Sequence, residues 1–367
     1  MSDSRRRYRA IKAGLMQLYP QELTGRAMQR LNVLAMFISG IVGSGSTHLR
    51  QVAKKAPTGA KVESRIKQMS RWYQNESNSY ELYYLPFITQ LLAHLAGLPL
   101  VLTIDGSEVG PRGHPGCMTL MVSLIYQKRA IPLVWCVIDR PKGHLSAQEH
   151  IALLKQVQPL LPANAEVILL GDGEFDSVEL QSYLDRQNWE YVCRTAKDTW
   201  VLCEGEWVQL DDLALPDLCV GLEAVGFTEQ AYGPVTVVIW WDKAYRQPIF
   251  LVSNLELTDE ICYWYRRRMR IETFFSDQKS RGFHLHKSHI DNPKRLSCIL
   301  IAACLAYIWI VFLGTFAHQQ KQVSVIHRTD RCDLSLFQIG LDWLEHCLNE
   351  MLPIPVSFTL PKEFLFA

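Results

Sequence analysis

The spacing of apolar residues divides the chain into a helical first quarter and a mixed remainder. Over residues 10–97, apolar positions recur at helical spacing, which predicts a set of helices. Three β-rich runs follow, at residues 100–104, 117–126 and 131–138. Turns that contain Gly, Pro and Arg separate them. Such runs predict an antiparallel meander.

Helices and strands alternate after the meander. Residues 146–161 are predicted to form a helix that begins with a capping box, because Glu149 follows Ser146 by three positions. A strand at 166–170, a helix at 176–186 and a strand at 191–194 follow. This order predicts an α/β fold with a ribonuclease-H-like catalytic core.

The rest of the chain is predicted to be a β insertion followed by helices. Thr258 is predicted to cap one long helix that reaches residue 281, and an apolar helix follows from residue 293. A last amphipathic helix is predicted at 334–351, with an apolar stripe suited either to dimerisation or to packing on its own domain. The predicted units are residues 1–97 (helical, basic, DNA-binding), 98–195 (first part of the core), 196–256 (β-rich insertion), 257–316 (core helices) and 317–367 (helical tail).

One nearly uncharged run, residues 297–316, is about long enough to span a bilayer. It is single, and it follows a densely charged segment. A helix that is apolar all round is also typical of the centre of a large soluble core. We therefore interpret this run as a buried core helix rather than a membrane span.

Charge is unevenly distributed although the net charge is only +1. Residues 1–75 contain 14 Lys and Arg against three Asp and Glu, an asymmetry typical of a nucleic-acid-binding region. None of the ten cysteines forms a C-x-x-C pair, so we expect reduced thiols and no structural zinc. The arginine-rich start carries no secretory pattern, and we expect a cytoplasmic protein.

Two aspartates are predicted to end neighbouring strands. Asp105 follows the first strand of the sheet, and Asp172 follows the fourth. In open α/β sheets the functional crevice lies beyond the strand ends, so both carboxylates are predicted to face one cleft. Either aspartate alone is more simply a turn residue.

A third acid lies on the predicted helix at 258–281. Tyr265, Arg268, Glu272 and Lys279 follow one another at offsets of 3, 4 and 7 residues. At helical pitch they share a stripe about 60° wide. A solvated charged face would explain Glu272, but it gives no reason for Tyr265 to share the stripe.

This Y-x2-R-x3-E-x6-K spacing resembles the Y-R-E-K signature of the DDE transposases of bacterial insertion sequences, in the family numbered four. The resemblance covers about residues 97–315. It implies that Asp105, Asp172 and Glu272 are the catalytic triad and hold two Mg²⁺ ions, for which Mn²⁺ can substitute. Two departures are Gly173, where relatives carry a bulkier polar residue, and the tail after residue 318.

The resemblance also implies a partner and further contacts. The partner is double-stranded DNA with terminal inverted repeats, bound by a homodimer and joined to target DNA. Arg268 and Lys279 would hold phosphates, and Tyr265 would bond the cleaved strand. A tryptophan of the insertion would stack on a flipped base, and Trp240 and Trp241 are the candidates.

Several other residues have open interpretations. Arg194 could contact DNA phosphate or form a structural ion pair. Paired tryptophans more commonly pack in a core or at a sheet edge. Glu174 and Asp176 could replace a ligand, although capping of the next helix explains Asp176. The histidines after the helix, His284, His286 and His289, lack metal-ligand spacing.

Three functions follow from these features. The leading hypothesis is a cut-and-paste transposase. A structure-specific nuclease with a ribonuclease-H-like core would use the same chemistry without strand joining. A catalytically silent, transposase-derived DNA-binding protein is disfavoured, because a binding module has no use for three converging acids.

Overall fold

One ten-stranded sheet runs through the structure, a computed structural model that describes residues 2–19, 21, 23–110, 116–140, 143–243, 245–328, 331 and 333–365. Its strands are β1 (Leu100–Val109), β2 (Cys117–Tyr126), β3 (Arg129–Ile138), β4 (Val167–Gly171), β5 (Glu190–Thr195), β6 (Trp200–Cys203), β7 (Glu206–Gln209), β8 (Cys219–Phe227), β9 (Tyr232–Trp240) and β10 (Ile249–Ser253).

Helices precede the sheet, alternate with its central strands and close the chain. They are α1 (Asp3–Met16), α2 (Gly25–Ser44), α3 (Leu49–Lys54), α4 (Val62–Tyr73), α5 (Tyr80–Tyr83), α6 (Leu85–His94), α7 (Ala147–Val157), α8 (Val178–Arg186), α9 (Thr258–Tyr265), α10 (Arg270–Gln278), α11 (Pro293–Gln319), α12 (Val323–Ile326) and α13 (Leu336–Asn349). Short 3₁₀ turns lie at Gln158–Leu160, Leu210–Leu213, Leu285–Ser288 and Lys362–Phe364. The fold is thus mixed α/β, as the alternation of patterns predicts.

The strand order is β3-β2-β1-β4-β5-β10-β9-β8-β6-β7. Strands β1 to β3 form an antiparallel meander, and β4 runs parallel to both β1 and β5. The predicted adjacency of the first and fourth strands is confirmed. The predicted insertion is also mostly β, and it extends the same sheet because β10 pairs with β5.

Two local predictions about helix starts have opposite outcomes. The capping box at α7 is confirmed, since Ser146 accepts from the backbone of Glu149 while the Glu149 carboxylate accepts from the Ser146 backbone. The interpretation of Asp176 as a cap is wrong, because Ser177 takes that place and accepts from the backbone of Leu180. Two adjacent polar residues compete for the cap, and only Ser177 directly precedes the first helical residue.

Helix α11 is the predicted apolar core helix. It is long and apolar enough to cross a bilayer, but 89% of its most apolar window is buried inside the protein. Every residue from 299 to 315 is buried. The chain's own helices and sheet therefore cover the surface that lipid would otherwise cover.

Helix α13 packs against α11 through two glycines. A Cβ added at Gly340 would lie 1.9 Å from the carbonyl oxygen of Ile310, and one at Gly314 would lie 2.0 Å from that of Leu336. The backbones thus approach closely on both helices. The apolar stripe of α13, including Phe337 and Trp343, is buried within the chain, and Phe337 stacks on Tyr307 of α11. The structure therefore favours packing within the chain over dimerisation for this stripe.

We predict that Gly340→Ala lowers the free energy of unfolding by about 1–3 kcal/mol, because the added methyl group meets a backbone carbonyl that cannot rotate away. Urea unfolding followed by circular dichroism measures the change. Gly59→Ala is the matched control, since a Cβ there meets nothing within 4 Å. Equal midpoints for the two variants would contradict the close helix crossing.

The N-terminal helices share one continuous hydrophobic core with the sheet. Tyr84 donates from its hydroxyl to the carbonyl of Pro132 (2.7 Å), and Tyr80 donates to that of Leu133 (2.7 Å), so both tyrosines bond directly to β3. Thr47 donates its backbone N–H to the carbonyl of Phe283 (2.8 Å). These bonds fix the basic first quarter against the rest of the protein, and the boundary at residue 97 stays a prediction.

Some N-terminal cations serve the fold itself. The guanidinium of Arg6 donates to the carbonyls of Cys347 and Leu348 at the C-terminal end of α13. Arg7 is buried and donates to the carbonyl of Ser39 (2.9 Å), and burial lowers the pKa of its guanidinium. The charge excess of residues 1–75 therefore overstates the charge that is free to meet a partner.

Candidate active site

The sheet register brings Asp105 and Asp172 to the same level. Strands β1 and β4 pair in parallel, and Thr103 lies opposite Leu170 in the last pair. Each aspartate stands two residues beyond its member of that pair. The prediction that Asp105 ends its strand is wrong, because pairing with β2 carries β1 on to Val109. The pairing with β4, however, stops before Asp105, so the two carboxylates still lie beside one cleft.

The backbone fixes one oxygen of each aspartate. Asp105 Oδ1 accepts from the N–H of Gly106 (2.7 Å), and Asp172 Oδ1 accepts from the N–H of Glu174 (3.0 Å). The second oxygens, Oδ2, both point toward the guanidinium of Arg268. These bonds orient the carboxylates before any ligand arrives.

The segment that carries the third acid is two helices, not one. Helix α9 ends at Tyr265, α10 begins at Arg270, and i to i−3 bonds of 3₁₀ type link them. The predicted continuous helix over 258–281, with Thr258 as its cap, is therefore wrong, since Leu257 occupies the N-cap position and makes no side-chain capping bond. The tight turn leaves Arg268 and Glu272 in contact, because they are still about one turn apart.

Arg268 contacts all three acids. Its Nη1 lies 3.5 Å from Asp105 Oδ2 and 3.9 Å from Asp172 Oδ2, and its Nη2 donates to Glu272 Oε1 at 2.9 Å. Burial acts to lower the pKa of Arg268, but Tyr265 and the three carboxylates outweigh it, so the pKa is raised. Within the part of the chain that the structure describes, Nε and Nη1 of Arg268 have no hydrogen-bond partner. The guanidinium of Arg268 can therefore donate a hydrogen bond to a further acceptor.

The remaining residues of the predicted stripe also reach the cleft. Lys279 Nζ donates to Ser107 Oγ (2.7 Å), and Ser107 lies two residues beyond Asp105 on β1. Tyr265 is buried; burial raises the pKa of its hydroxyl, while nearby Arg268 and Arg194 act in the opposite direction. All four residues of the stripe thus lie around the two aspartates, although the helix between them is broken.

Arg194 is exposed at the end of β5, beside Tyr265. Among the described residues no carboxylate lies within ion-pair distance of Arg194. The alternative of a structural ion pair for Arg194 therefore has no partner in the described part of the chain.

The two tryptophans of the insertion differ in exposure. Trp240 is buried, with the guanidinium of Arg266 at 4.7 Å from its ring and Tyr245 packed edge-on against it. Trp241 is half-buried. The more exposed aromatic rings of the insertion are Trp200 and Trp207 on the β6–β7 hairpin, which the sequence interpretation did not single out. Both rings lie on the same face of this hairpin. Trp200 and Leu202 are two residues apart on β6 and so share a face, and Leu202 lies opposite Trp207.

A buried histidine, missed from the sequence, supports the loop after Asp172. His150 on α7 is 1% exposed, and its Nε2 lies 3.6 Å from Glu174 Oε1. The same Glu174 oxygen accepts from the N–H of Leu145 (2.7 Å). Glu174 is thereby turned toward α7, which argues against its serving as a substitute ligand. The position of Glu174, two residues after Asp172, was the one sequence signal that could have drawn attention to this contact.

The three histidines after α10 do not form a metal centre. His284 and His286 pack edge to face, and His289 packs in the same way on His48. Over the described ranges, no group of three or more His, Cys, Asp or Glu side chains is close enough to hold a metal ion directly. That statement includes the three acids, which surround Arg268 instead.

The three acids nevertheless fit a divalent cation by donor chemistry. All are carboxylates, the hard oxygen ligands that magnesium prefers. They already surround one positive group, the guanidinium of Arg268. Asp105, Asp172 and Glu272 are therefore the residues that would hold a metal, after the guanidinium has moved aside.

A known protein family matches the part of the chain that contains this site. Residues 97–309, more than half of the chain, match the family described as the transposase DDE domain. The chain belongs to this family. The three acids and the helix pair α9–α10 all fall inside the segment that matches the transposase DDE domain.

The chain is similar to a piggyBac transposase in a cryo-EM structure of its synaptic complex with hairpin DNA, with a TM-score of 0.49 and 13% sequence identity. The similarity covers 99% of this chain and 80% of that chain. A comparison with curated proteins finds no match. Membership of the transposase DDE domain family rests on the sequence match alone.

Proposed function

We propose that this protein is a cut-and-paste DNA transposase of the Y-R-E-K group of bacterial insertion sequences, with a ribonuclease-H-like core. The observation that supports this most strongly is the contact of one guanidinium, Arg268, with Asp105, Asp172 and Glu272. The three acids come from distant parts of the chain, and the single positive charge of Arg268 balances only one of the three carboxylates.

The proposed reaction is cleavage at the ends of an element and joining of its 3′-hydroxyl ends to target DNA. Asp105, Asp172 and Glu272 would hold two magnesium ions, which would supply Lewis-acid charge for an in-line phosphoryl transfer. Mn²⁺ would serve in place of Mg²⁺.

The chain's own cations would hold the DNA at this point. Two nitrogens of the Arg268 guanidinium, Nε and Nη1, have no hydrogen-bond partner among the described residues, so Arg268 could donate to the phosphate next to the cut. Lys279 and Arg194 would contact flanking phosphates, and Tyr265 would bond the cleaved strand. These contacts set the position of the scissile phosphate relative to the acids.

The insertion and the N-terminal helices would contact the rest of the DNA. Trp241 is the better candidate for stacking on a flipped base, because Trp240 is covered by Arg266. We propose that the basic N-terminal helices bind duplex DNA, and that two protomers pair the two ends. Work on chromosomal DNA would place the protein in the cytoplasm of a bacterial cell, at the nucleoid.

The test is cleavage of duplexes made from the DNA on each side of the reading frame. We expect strand cleavage at inverted repeats in Mg²⁺ or Mn²⁺, loss of cleavage with EDTA, and joined products when target DNA is added. Cleavage of branched DNA regardless of its end sequence, without joining, would favour a structure-specific nuclease. Specific binding to the ends with no cleavage in Mn²⁺ would favour a catalytically silent DNA-binding protein.

A further inference from the structure

A polar groove lies between α2 and α4, on the N-terminal helices. Each helix contributes one face at helical spacing: Arg26, Gln29, Arg30 and Val33 from α2, and Gln68, Arg71, Trp72 and Asn75 from α4 and the residues just beyond it. The groove is built between two helices that are held together, because Trp72 donates its indole N–H to the carbonyl of Arg30 (3.0 Å).

The charge of this groove is of one sign. Three guanidinium groups, those of Arg26, Arg30 and Arg71, are among its lining residues. None of the described lining residues carries a carboxylate. The groove also lies beside the start of α2, whose first turn contains no acid, so the helix dipole adds to the positive potential.

The polar side chains at the rim of the groove can act as hydrogen-bond donors. The amides of Gln29 and Gln68 are exposed there, and their N–H groups add to those of the three guanidinium groups. A ligand rich in hydrogen-bond acceptors, such as phosphate oxygens, would therefore find partners here.

We propose that this groove binds the phosphodiester backbone of duplex DNA, with Arg30 and Arg71 on phosphates from opposite walls. The proposal rests on the proposed function and locates the N-terminal DNA contact within it. Arg6 and Arg7 are not part of the proposed DNA contact, because their guanidinium groups donate to backbone carbonyls within the protein. DNA in the groove would be held rigidly relative to the cleft, because Thr47 bonds the segment after α10 through both its N–H and its hydroxyl.

The test measures binding, not cleavage. The probe is a fluorescein-labelled duplex of arbitrary sequence, about four helical turns long, titrated with the full chain in EDTA at a series of salt concentrations. For Arg30→Gln with Arg71→Gln we expect weaker binding at every salt concentration, and a slope of log affinity against log salt that is shallower by about 1.8, since each lost phosphate contact removes about 0.9.

A charge-matched control and a second variant complete the design. Lys155→Gln with Arg186→Gln removes two exposed cations from α7 and α8 and should leave the slope unchanged. Gln68→Glu with Asn75→Asp adds two negative charges to the groove without removing an arginine, and should also weaken binding. Thermal melts of all variants check folding.

The outcomes separate this proposal from the proposed function. If the unaltered chain does not bind the duplex, the proposed function itself fails. If the unaltered chain binds and both groove variants match the control, only the groove assignment is overturned. A loss of slope confined to the groove variants supports the assignment whether or not the chain cleaves DNA.

Discussion

Replacing Asp105 with Asn should reduce DNA cleavage and joining by about a thousandfold, because a barrier change of several kcal/mol follows loss of a charged ligand at the reacting phosphate. Asp105 is the most buried of the three acids, with 10% of its side chain exposed against 35% for Asp172 and 45% for Glu272. Asn keeps the shape of Asp and its backbone bond, so the substitution isolates the charge.

The measurement is the rate of end cleavage on duplexes from the flanking DNA. Glu108→Gln is the matched control, since this acid is exposed on the same strand, and its activity should stay within a factor of about three of the unaltered chain, because exposed charges contribute little. Circular dichroism should be unchanged in both variants. Activity of Asp105→Asn within tenfold of the unaltered chain would contradict the assignment.

The largest effect on stability is expected from the buried ion pair that anchors α10. Arg129 Nη1 lies 2.6 Å from Asp277 Oδ2, and the two side chains are 9% and 8% exposed. Arg129→Met should cost about 3–5 kcal/mol in unfolding free energy, because it leaves a buried carboxylate unpaired. Arg129→Met with Asp277→Leu should recover most of that loss, since the pair is then replaced by apolar contacts.

Urea unfolding measures both variants. The control is Lys197→Met at the exposed pair with Asp211, whose side chains are 70% and 45% exposed, and it should change stability by less than about 1 kcal/mol. If Arg129→Met behaves like this control, the pair does not stabilise α10 in the way the structure indicates.

The same pair should give stability a distinct pH dependence. Burial raises the pKa of Asp277 to about 6, against the smaller opposing effects of Arg129 and Arg281. An unfolded aspartate has a pKa near about 3.9, so between these values the folded protein keeps a proton that the unfolded chain has released. Stabilisation from this group is therefore complete below about pH 4 and is lost as the pH rises through about 6.

From pH 7 to pH 5 we thus expect the unaltered chain to gain about 1 kcal/mol relative to Asp277→Asn, because the other titrating groups cancel in the difference. Urea unfolding of both proteins at the two pH values measures this change. A constant difference, or a loss on acidification, would contradict the raised pKa of Asp277.

Local patterns were sufficient to predict the meander and the adjacency of the first and fourth strands, which brings the two aspartates together. The runs that form β1 to β5 have turn signals between them, and the order of strands and helices leaves few topologies. The offsets of Tyr265, Arg268, Glu272 and Lys279 likewise predicted that these residues lie near one another. Turn signals and residue spacings depend on residues close together in the sequence, so they can be recognised without the structure.

Long-range contacts account for what the sequence did not predict. Helix α9 ends early at a run of arginines, where Arg266 stacks on Trp240 while Arg268 turns to the acids. The structural use of Arg6 depends on carbonyls more than 340 residues away, and no local pattern shows which cation will meet them. Burial of Trp240 depends in the same way on α9.

We propose that Asp105, Asp172 and Glu272 share one cation-binding centre. Iron-directed cleavage tests it without any DNA reaction: Fe²⁺ is bound in place of magnesium, peroxide and ascorbate generate hydroxyl radicals at the metal, and the cut positions in the polypeptide are mapped by mass spectrometry. We predict cuts in three stretches, around residues 105, 172 and 272, all suppressed by excess Mg²⁺ and all lost together in Glu272→Gln. Cuts at only one of the stretches, or cuts around 105 and 172 that persist unchanged in Glu272→Gln, would contradict a shared centre.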